Sequence, residues 1–290
     1  MTLTTGTRMR SARGSAGSTD RPWHEVRRTD YSVVERSAGG SEFRKTYLRV
    51  RTTARLHAER AGITAARRVG LETPAIAQAG SSRTDSWIVL AAIPGESLSA
   101  SSAEDLTEFV RVVRDVSLAL DRIPCAGAGW APSSTRLLTP CAPSFQGRPW
   151  FPTLAEYLDK IDRLPVAALH GDLKPEHLIV GPARYAVIDW EGFDVGPVAV
   201  DHAHAAFHAV RDALLSELDP AVLAPLEDLN LVGPVLAWRL ALWLDRRRPG
   251  DLGLLDITTV ECLCRARTPT ESLDAFIDTL GTLLAAGVPR

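Results

Sequence analysis

Two short apolar runs, each ending on an aspartate, constrain this chain more than any other feature. Val166-Ala167-Ala168-Leu169 leads into His170-Gly171-Asp172, and Tyr185-Ala186-Val187-Ile188 leads into Asp189. Apolar runs this short, bounded by turn residues, read as buried strands and not as helices. Leu178-Ile179-Val180, between them, is itself strand-like. A side chain at the end of such a strand faces an edge, where ligands bind. Lys174 follows two residues after the first aspartate. One carboxylate can take a proton from a hydroxyl, the other can hold a divalent cation, and the lysine can neutralise a phosphate oxygen. These are the parts that phosphoryl transfer requires, a reaction catalysed mainly by positioning and charge neutralisation. Taken singly, each aspartate reads as a turn cap and Lys174 as an exposed charge; the joint pattern carries the chemistry.

The rest of the chain divides around this segment. Ser32-Val33-Val34-Glu35-Arg36 and Phe43-Arg44-Lys45-Thr46-Tyr47-Leu48 alternate like strands, with Gly39-Gly40 as a hairpin turn between them. Residues 52–68 are Ala- and Arg-rich and helical, with Gly70 placed to end the helix and Pro74 to stop any continuation. Ser86 to Ile93 is a continuous apolar run of strand length, closed by Pro94-Gly95. A helix with Ser102 at its N-cap is predicted over 103–120, then a loop with five prolines over 125–152. Further helices are predicted over 154–161, 200–218, 231–247 and 273–286. The reading is an α+β chain of two lobes, with no internal repeat. A disordered tail spans 1–22, a small sheet-plus-helix lobe 23–94 and a larger, mostly helical lobe 95–290.

Composition excludes several classes. With 45% hydrophobic and 23% charged residues over 290 positions, the chain has globular and not disordered composition. A net charge of −2 gives no bulk attraction to nucleic acid, and no run of about 18 apolar residues suggests a membrane span. Four cysteines without a signal peptide read as reduced thiols in a cytoplasmic protein. Residues 1–100 sum to +7, 101–200 to −4 and 201–290 to −5, which suits an anionic ligand early and a cationic one late, or scattered surface charge. Only three of the 33 basic residues are lysines, Lys45, Lys160 and Lys174. Lys160 lies in a polar helical stretch and reads as solvated, whereas the other two lie in segments with chemistry.

His170-Gly171-Asp172-Leu173-Lys174-Pro175-Glu176-His177, followed by Ile188-Asp189-Trp190-Glu191-Gly192, resembles the aminoglycoside phosphotransferase and choline kinase family, relatives of the protein kinases. The match is strong over 168–202 and weaker over 32–98. It implies a bilobal kinase-like fold and a nucleotide- and Mg²⁺-dependent enzyme that moves the γ-phosphate of ATP or GTP to a hydroxyl. On that resemblance Asp172 is the catalytic aspartate that orients the acceptor hydroxyl, Lys174 contacts the transferred phosphate, and Asp189 binds Mg²⁺. Lys45 would pair the nucleotide phosphates, with Glu59 as its ion-pair partner, and Ala91 and Ile93 would hold adenine through their backbone. Asp201 would anchor the catalytic loop, and His170 would hold it.

Three departures stand out. His177 replaces the usual metal-binding Asn; it holds the loop, touches a phosphate oxygen, or binds metal as an imidazole, a poorer ligand for a hard cation. No Gly-rich phosphate cover is evident, and the small lobe is short. His202 and His204, two apart on a helix, diverge and read as ordinary helix residues; Trp238 and Trp243 read as core. The acceptor is a hydroxyl-bearing small molecule such as an aminoglycoside, or Ser/Thr of a precursor peptide in lanthipeptide-type biosynthesis with a separate lyase as partner. The competing reading is a pseudokinase that binds nucleotide or peptide without transfer.

Overall fold

The computed structural model describes residues 22–49, 51–125, 137, 142–164, 166–181, 185–247 and 250–287. Of the expected tail over 1–22 all but Pro22, and most of the proline-rich loop over 125–152, lie outside these residues. The N-terminal part is a five-stranded antiparallel sheet in the order β1-β2-β3-β5-β4: β1 (Trp23–Arg28), β2 (Ser32–Ser37), β3 (Glu42–Tyr47), β4 (Ile76–Ser81) and β5 (Ser86–Ala91). Helix α1 (Thr52–Arg68) follows β3. The Gly39-Gly40 turn joins β2 to β3, with Gly40 at φ 69°, a conformation that favours glycine. Lys45 sits mid-strand on β3, opposite Val34 of β2 and Ile88 of β5. Where the sequence predicts three strands, the sheet has five, because edge strands β1 and β4 lack alternation. Five of six β1 residues are exposed, and β4 is Ile-Ala-Gln-Ala-Gly-Ser, poor in β-formers.

The larger part is helical. Its elements are α2 (Ala103–Leu120), α3 (Ala142–Phe145), α4 (Phe151–Asp159), α5 (Ala199–Leu215), α6 (Gly233–Arg247), α7 (Ile257–Arg265) and α8 (Pro269–Ala285). Ser102 caps α2 as predicted, its hydroxyl accepting from the Asp105 N–H at 3.1 Å. Helix α6 is the hub, packed against α4, α5, α7 and α8, and Val235 to Leu244 are all buried. Trp238 and Trp243 are core residues there. Helix α7 is a missed element: its Ile-Thr-Thr-Val start is β-branched and reads as strand. Five short strands in two small sheets carry the site: β7 (Val166–Leu169) pairs with β10 (Asp194–Pro197), and β8 (Leu178–Val180) pairs with β9 (Tyr185–Val187) and β6 (Glu96–Ser97). Among the described residues no single helix is long and apolar enough to cross a membrane.

Helix α5 buries three histidines. His202 Nε2 lies 3.1 Å from the Ser117 hydroxyl on α2, while His204 Nδ1 accepts from Arg239 Nε at 2.8 Å, so the two rings do diverge. His208 Nε2 is 3.3 Å from another nitrogen of Arg239. Burial, then the neighbouring arginine, pushes His204 down to about 3, and the same causes depress His208. Burial lowers His170 to about 4. A depressed histidine adds stability that is complete above its ordinary 6.5 and is lost as pH falls toward the folded value. Burial raises Asp201 to about 6, which works the other way: its contribution is complete below the ordinary 3.8 and lost as pH rises through 6. Three histidines outweigh one aspartate. Stability is therefore expected to fall by on the order of 2 kcal/mol per pH unit between pH 6 and 4. Urea midpoints across that range check this; a flat or rising midpoint contradicts it.

Candidate active site

Glycine at 171 and a strained backbone at 189 bring the two aspartates together. Gly171 has φ +84°, and a Cβ there would lie 2.0 Å from the Gly192 carbonyl oxygen. The loop after β7 and the turn after β9 therefore touch backbone to backbone. Asp189 is itself left-handed, at φ 66° and ψ 57°, a conformation costing about 1–2 kcal/mol in a non-glycine residue and typical of functional positions. Asp201, at the start of α5, accepts from the His170 and Gly171 N–H groups, both at 2.7 Å, and so fixes the loop. His170 is fully buried and sits 2.9 Å from the Ile188 carbonyl through Nε2. A carbonyl only accepts, so Nε2 carries the proton, and Nδ1 accepts from the Asp172 N–H at 3.3 Å.

His177 stands between the two carboxylates. Its Nδ1 donates to the Asp172 carbonyl at 2.8 Å and lies 4.0 Å from Asp172 Oδ2. Its Nε2 lies 3.2 Å from Asp189 Oδ2, yet has no hydrogen-bond partner of good geometry among the described residues. Lys174 is 3.4 Å from Asp172 Oδ2 and 3.0 Å from Glu176. Burial pushes Asp172 up, but His177 and Lys174 outweigh it and hold the carboxyl below its ordinary value. Asp189 is driven well down against burial, by Lys45 and His177. Both aspartates are therefore charged at neutral pH.

Lys45 is the second focus. It pairs with Glu59 at 3.1 Å, with Glu191 at 2.8 Å and with Asp189. Burial pulls its pKa down; the three carboxylates overcome this and hold it well above the ordinary value. Glu59 is fully buried, and burial raises it against the pull of Lys45. Tyr47, two residues along β3 and so on the same face, donates to Glu59 at 3.2 Å. Helix α1 presents Arg55, Glu59 and Gly62 at helical spacing toward the turn at 190–193. Arg55 reaches Glu191 at 2.8 Å, Glu59 accepts from the Trp190 N–H at 3.2 Å, and a Cβ at Gly62 would meet Trp190 and Phe193 at 2.8 and 2.9 Å. Only a glycine lets this helix come so close.

The structure thus brings together Lys45, Glu59, Asp172, Lys174, His177 and Asp189. Arg55 and Glu191 were missed, although Glu191 lies two residues after Asp189 in the same run. At the end of β5 the Ala91 N–H is taken by the Ala75 carbonyl at 2.8 Å and the Ala92 N–H by Ser41 at 2.9 Å. No described residue accepts from the Ile93 N–H. The turn between β1 and β2, Thr29-Asp30-Tyr31, holds no glycine and is closed instead by the Thr29 hydroxyl, which accepts from the Ser32 N–H at 3.0 Å.

The sequence pattern of the phosphotransferase enzyme family matches residues 29–242. The chain belongs to that family. No curated protein matches this phosphotransferase by sequence. Its fold is that of solved kinase-like structures. The aminoglycoside phosphotransferase APH(3'')-Id from Streptomyces rimosus, in complex with ADP and streptomycin, is 16% identical with a TM-score of 0.55, over 90% of this chain and 93% of that one. The GDP and kanamycin complex of APH(2")-IIIa is 11% identical with a TM-score of 0.56, over 91% and 93%. A choline/ethanolamine kinase family protein from Mesorhizobium loti is 14% identical with a TM-score of 0.55, over 91% and 94%. The bilobal α+β fold and the family read from the two motifs are both correct.

Proposed function

We propose that this phosphotransferase transfers the γ-phosphate of ATP or GTP to a hydroxyl, with residues 23–94 holding the nucleotide and 95–290 the acceptor. The observation that carries the reading is His177, one ring within 4.0 Å of Asp172 and 3.2 Å of Asp189. Asp172 accepts the hydroxyl proton as the acceptor oxygen bonds to phosphorus; the bond from phosphorus to the bridging oxygen breaks, and the nucleoside diphosphate leaves with that electron pair. Lys174 neutralises the moving phosphate. Lys45, held by Glu59, pairs the phosphates that stay, and the free Ile93 N–H and the Ala91 carbonyl meet adenine.

The donor set suits Mg²⁺. Carboxylate oxygens of Glu59, Asp189 and Glu191 lie within 4.8 Å of one another, and hard cations prefer oxygen. The same three carboxylates surround the Lys45 ammonium, and the unpartnered Nε2 of His177 lies 3.2 Å from the other oxygen of Asp189, Oδ2. Asp189 would hold the ion, with Glu191 and His177 beside it; when bound, it screens the phosphate charge. ADP titrations with and without Mg²⁺ check this. Asp189→Ala is expected to remove the Mg²⁺-dependent gain in affinity, and His177→Ala to reduce it by less than about tenfold. The reverse order removes the assignment.

The acceptor is a small hydroxyl compound, as in the streptomycin- and kanamycin-bound structures, or a precursor-peptide Ser/Thr whose phosphate a separate lyase eliminates. The glycine-free turn at 29–31 favours the competing pseudokinase reading. Acceptor-dependent nucleotide consumption decides: consumption that Asp172→Asn leaves unchanged selects the pseudokinase.

A further inference from the structure

Among the described residues Arg239 is a charge without an ion-pair partner. It lies mid-way along α6 and is 5% exposed. Its Nε is held by His204 at 2.8 Å, another nitrogen lies 3.3 Å from His208, and the guanidinium sits 4.0 Å above the Phe207 ring. All three partners are neutral at neutral pH: they orient the fork and leave the charge in place. Among the described residues no carboxylate lies within ion-pairing distance of Arg239. The stretch 126–141, after α2, contains no Asp or Glu that could supply one. An arginine in such a setting is normally matched by an acid.

Its neighbours increase the imbalance. Arg246, Arg211 and Arg247 all repel Arg239, and Asp172 is the carboxylate whose charge supports it. Asp201, which accepts from the Gly171 N–H at 2.7 Å, and His204, which holds Arg239 at 2.8 Å, lie three residues apart on one face of α5, so Arg239 is seated one helical turn along from the loop that carries Asp172. Arg211 is paired with Asp212 at 2.6 Å, so the wall beside the proposed acceptor-facing aspartate carries in Arg239 a buried guanidinium with no carboxylate paired to it among the described residues. The acidic residues that make the later part of the chain negative lie elsewhere: Glu156 and Asp228, for example, are 72% and 67% exposed. A polycationic aminosugar suits the overall charge of this lobe but not this wall.

We propose that the acceptor carries an anionic group, a carboxylate or a phosphate, close to the hydroxyl that is phosphorylated, and that Arg239 receives it. A planar fork held by two imidazoles is preorganised for bidentate recognition of either anion. The inference rests on the phosphotransferase reading, with Asp172 facing the acceptor.

The test uses matched acceptors with the full chain, nucleotide and Mg²⁺. N-acetylserine, N-acetylserinamide and serinamide present one hydroxyl beside a negative, neutral or positive group; glycerate, glycerol 3-phosphate and glycerol separate carboxylate from phosphate. Acceptor-dependent nucleotide consumption, and calorimetric binding to the ADP-loaded protein, are measured for each. The anionic members are expected to show KM or Kd at least tenfold below their neutral partners. Arg239→Lys is expected to raise those values about tenfold while moving the neutral acceptors less than twofold, a split that a purely structural role would not produce. Neutral or cationic acceptors matching the anionic ones in wild-type protein overturn the proposal, whether or not the variant folds; so does the absence of anion binding. Turnover led by a cationic acceptor sinks this inference and leaves the kinase reading intact. Anion binding that depends on Arg239, without turnover above the Asp172→Asn level, does the opposite.

Discussion

Asp172→Asn is expected to lower acceptor-dependent turnover by about 10²–10⁴, the range for loss of a positioned general base, with nucleotide KM changed by less than about twofold. The substitution is close to silent for the fold. The groups that tie residue 172 into the loop are its backbone carbonyl, which accepts from His177, and its N–H, which donates to His170. Both survive a side-chain change. The side chain itself meets Lys174 at 3.4 Å and is 37% exposed. A fall in kcat with retained nucleotide affinity thus reports on chemistry and not on collapse. Equal turnover in the two proteins would remove the enzymatic role of this residue.

Gly171→Ala is expected to cost at least about 3 kcal/mol and to abolish activity. Alanine at φ +84° costs about 1–2 kcal/mol on conformational grounds alone. The added Cβ would also sit 2.0 Å from the Gly192 carbonyl oxygen, a backbone atom that cannot rotate away. Relief requires parting the loop that carries Asp172 from the turn that carries Asp189. Gly70→Ala isolates the first term: Gly70 has φ +88° but nothing within 4 Å of a new Cβ, so about 1 kcal/mol is expected there. Thermal denaturation of both variants gives the comparison. Similar losses at the two positions would show that the contact between the segments is soft.

Both aspartates were legible because each closes an apolar run with turn chemistry on its far side. Helix α2 was legible because Ser102 caps a regular apolar face. What stayed hidden has physical causes. Edge strand β4 contains Gly80, where a Cβ would come 2.7 Å from the Trp87 ring; the glycine that lets the ring lie across the strand also lowers its β-propensity. Arg55 and Glu191 stand 136 positions apart in sequence, and no local pattern links such a pair. Arg239 reads as one more basic residue in an apolar helix until the described residues around it are seen to include no carboxylate paired with it. The histidines that hold it look ordinary for the same reason, since their role depends on a partner 31 and 35 positions away.

The close seating of α1 has a consequence for control. Three successive turns of the helix are committed: Arg55 to Glu191, Glu59 to Lys45 and the Trp190 amide, and Gly62 to the bare flank of Trp190 and Phe193. A helix fastened at three levels has no room to swing outward and withdraw its glutamate, because rotation would strand a buried carboxylate and reopen a glycine-sized gap. Withdrawing Glu59 from Lys45 would therefore mean breaking the Arg55–Glu191 pair and the Trp190 amide contact in the same movement, so the clamp and the turn that follows Asp189 hold or part together.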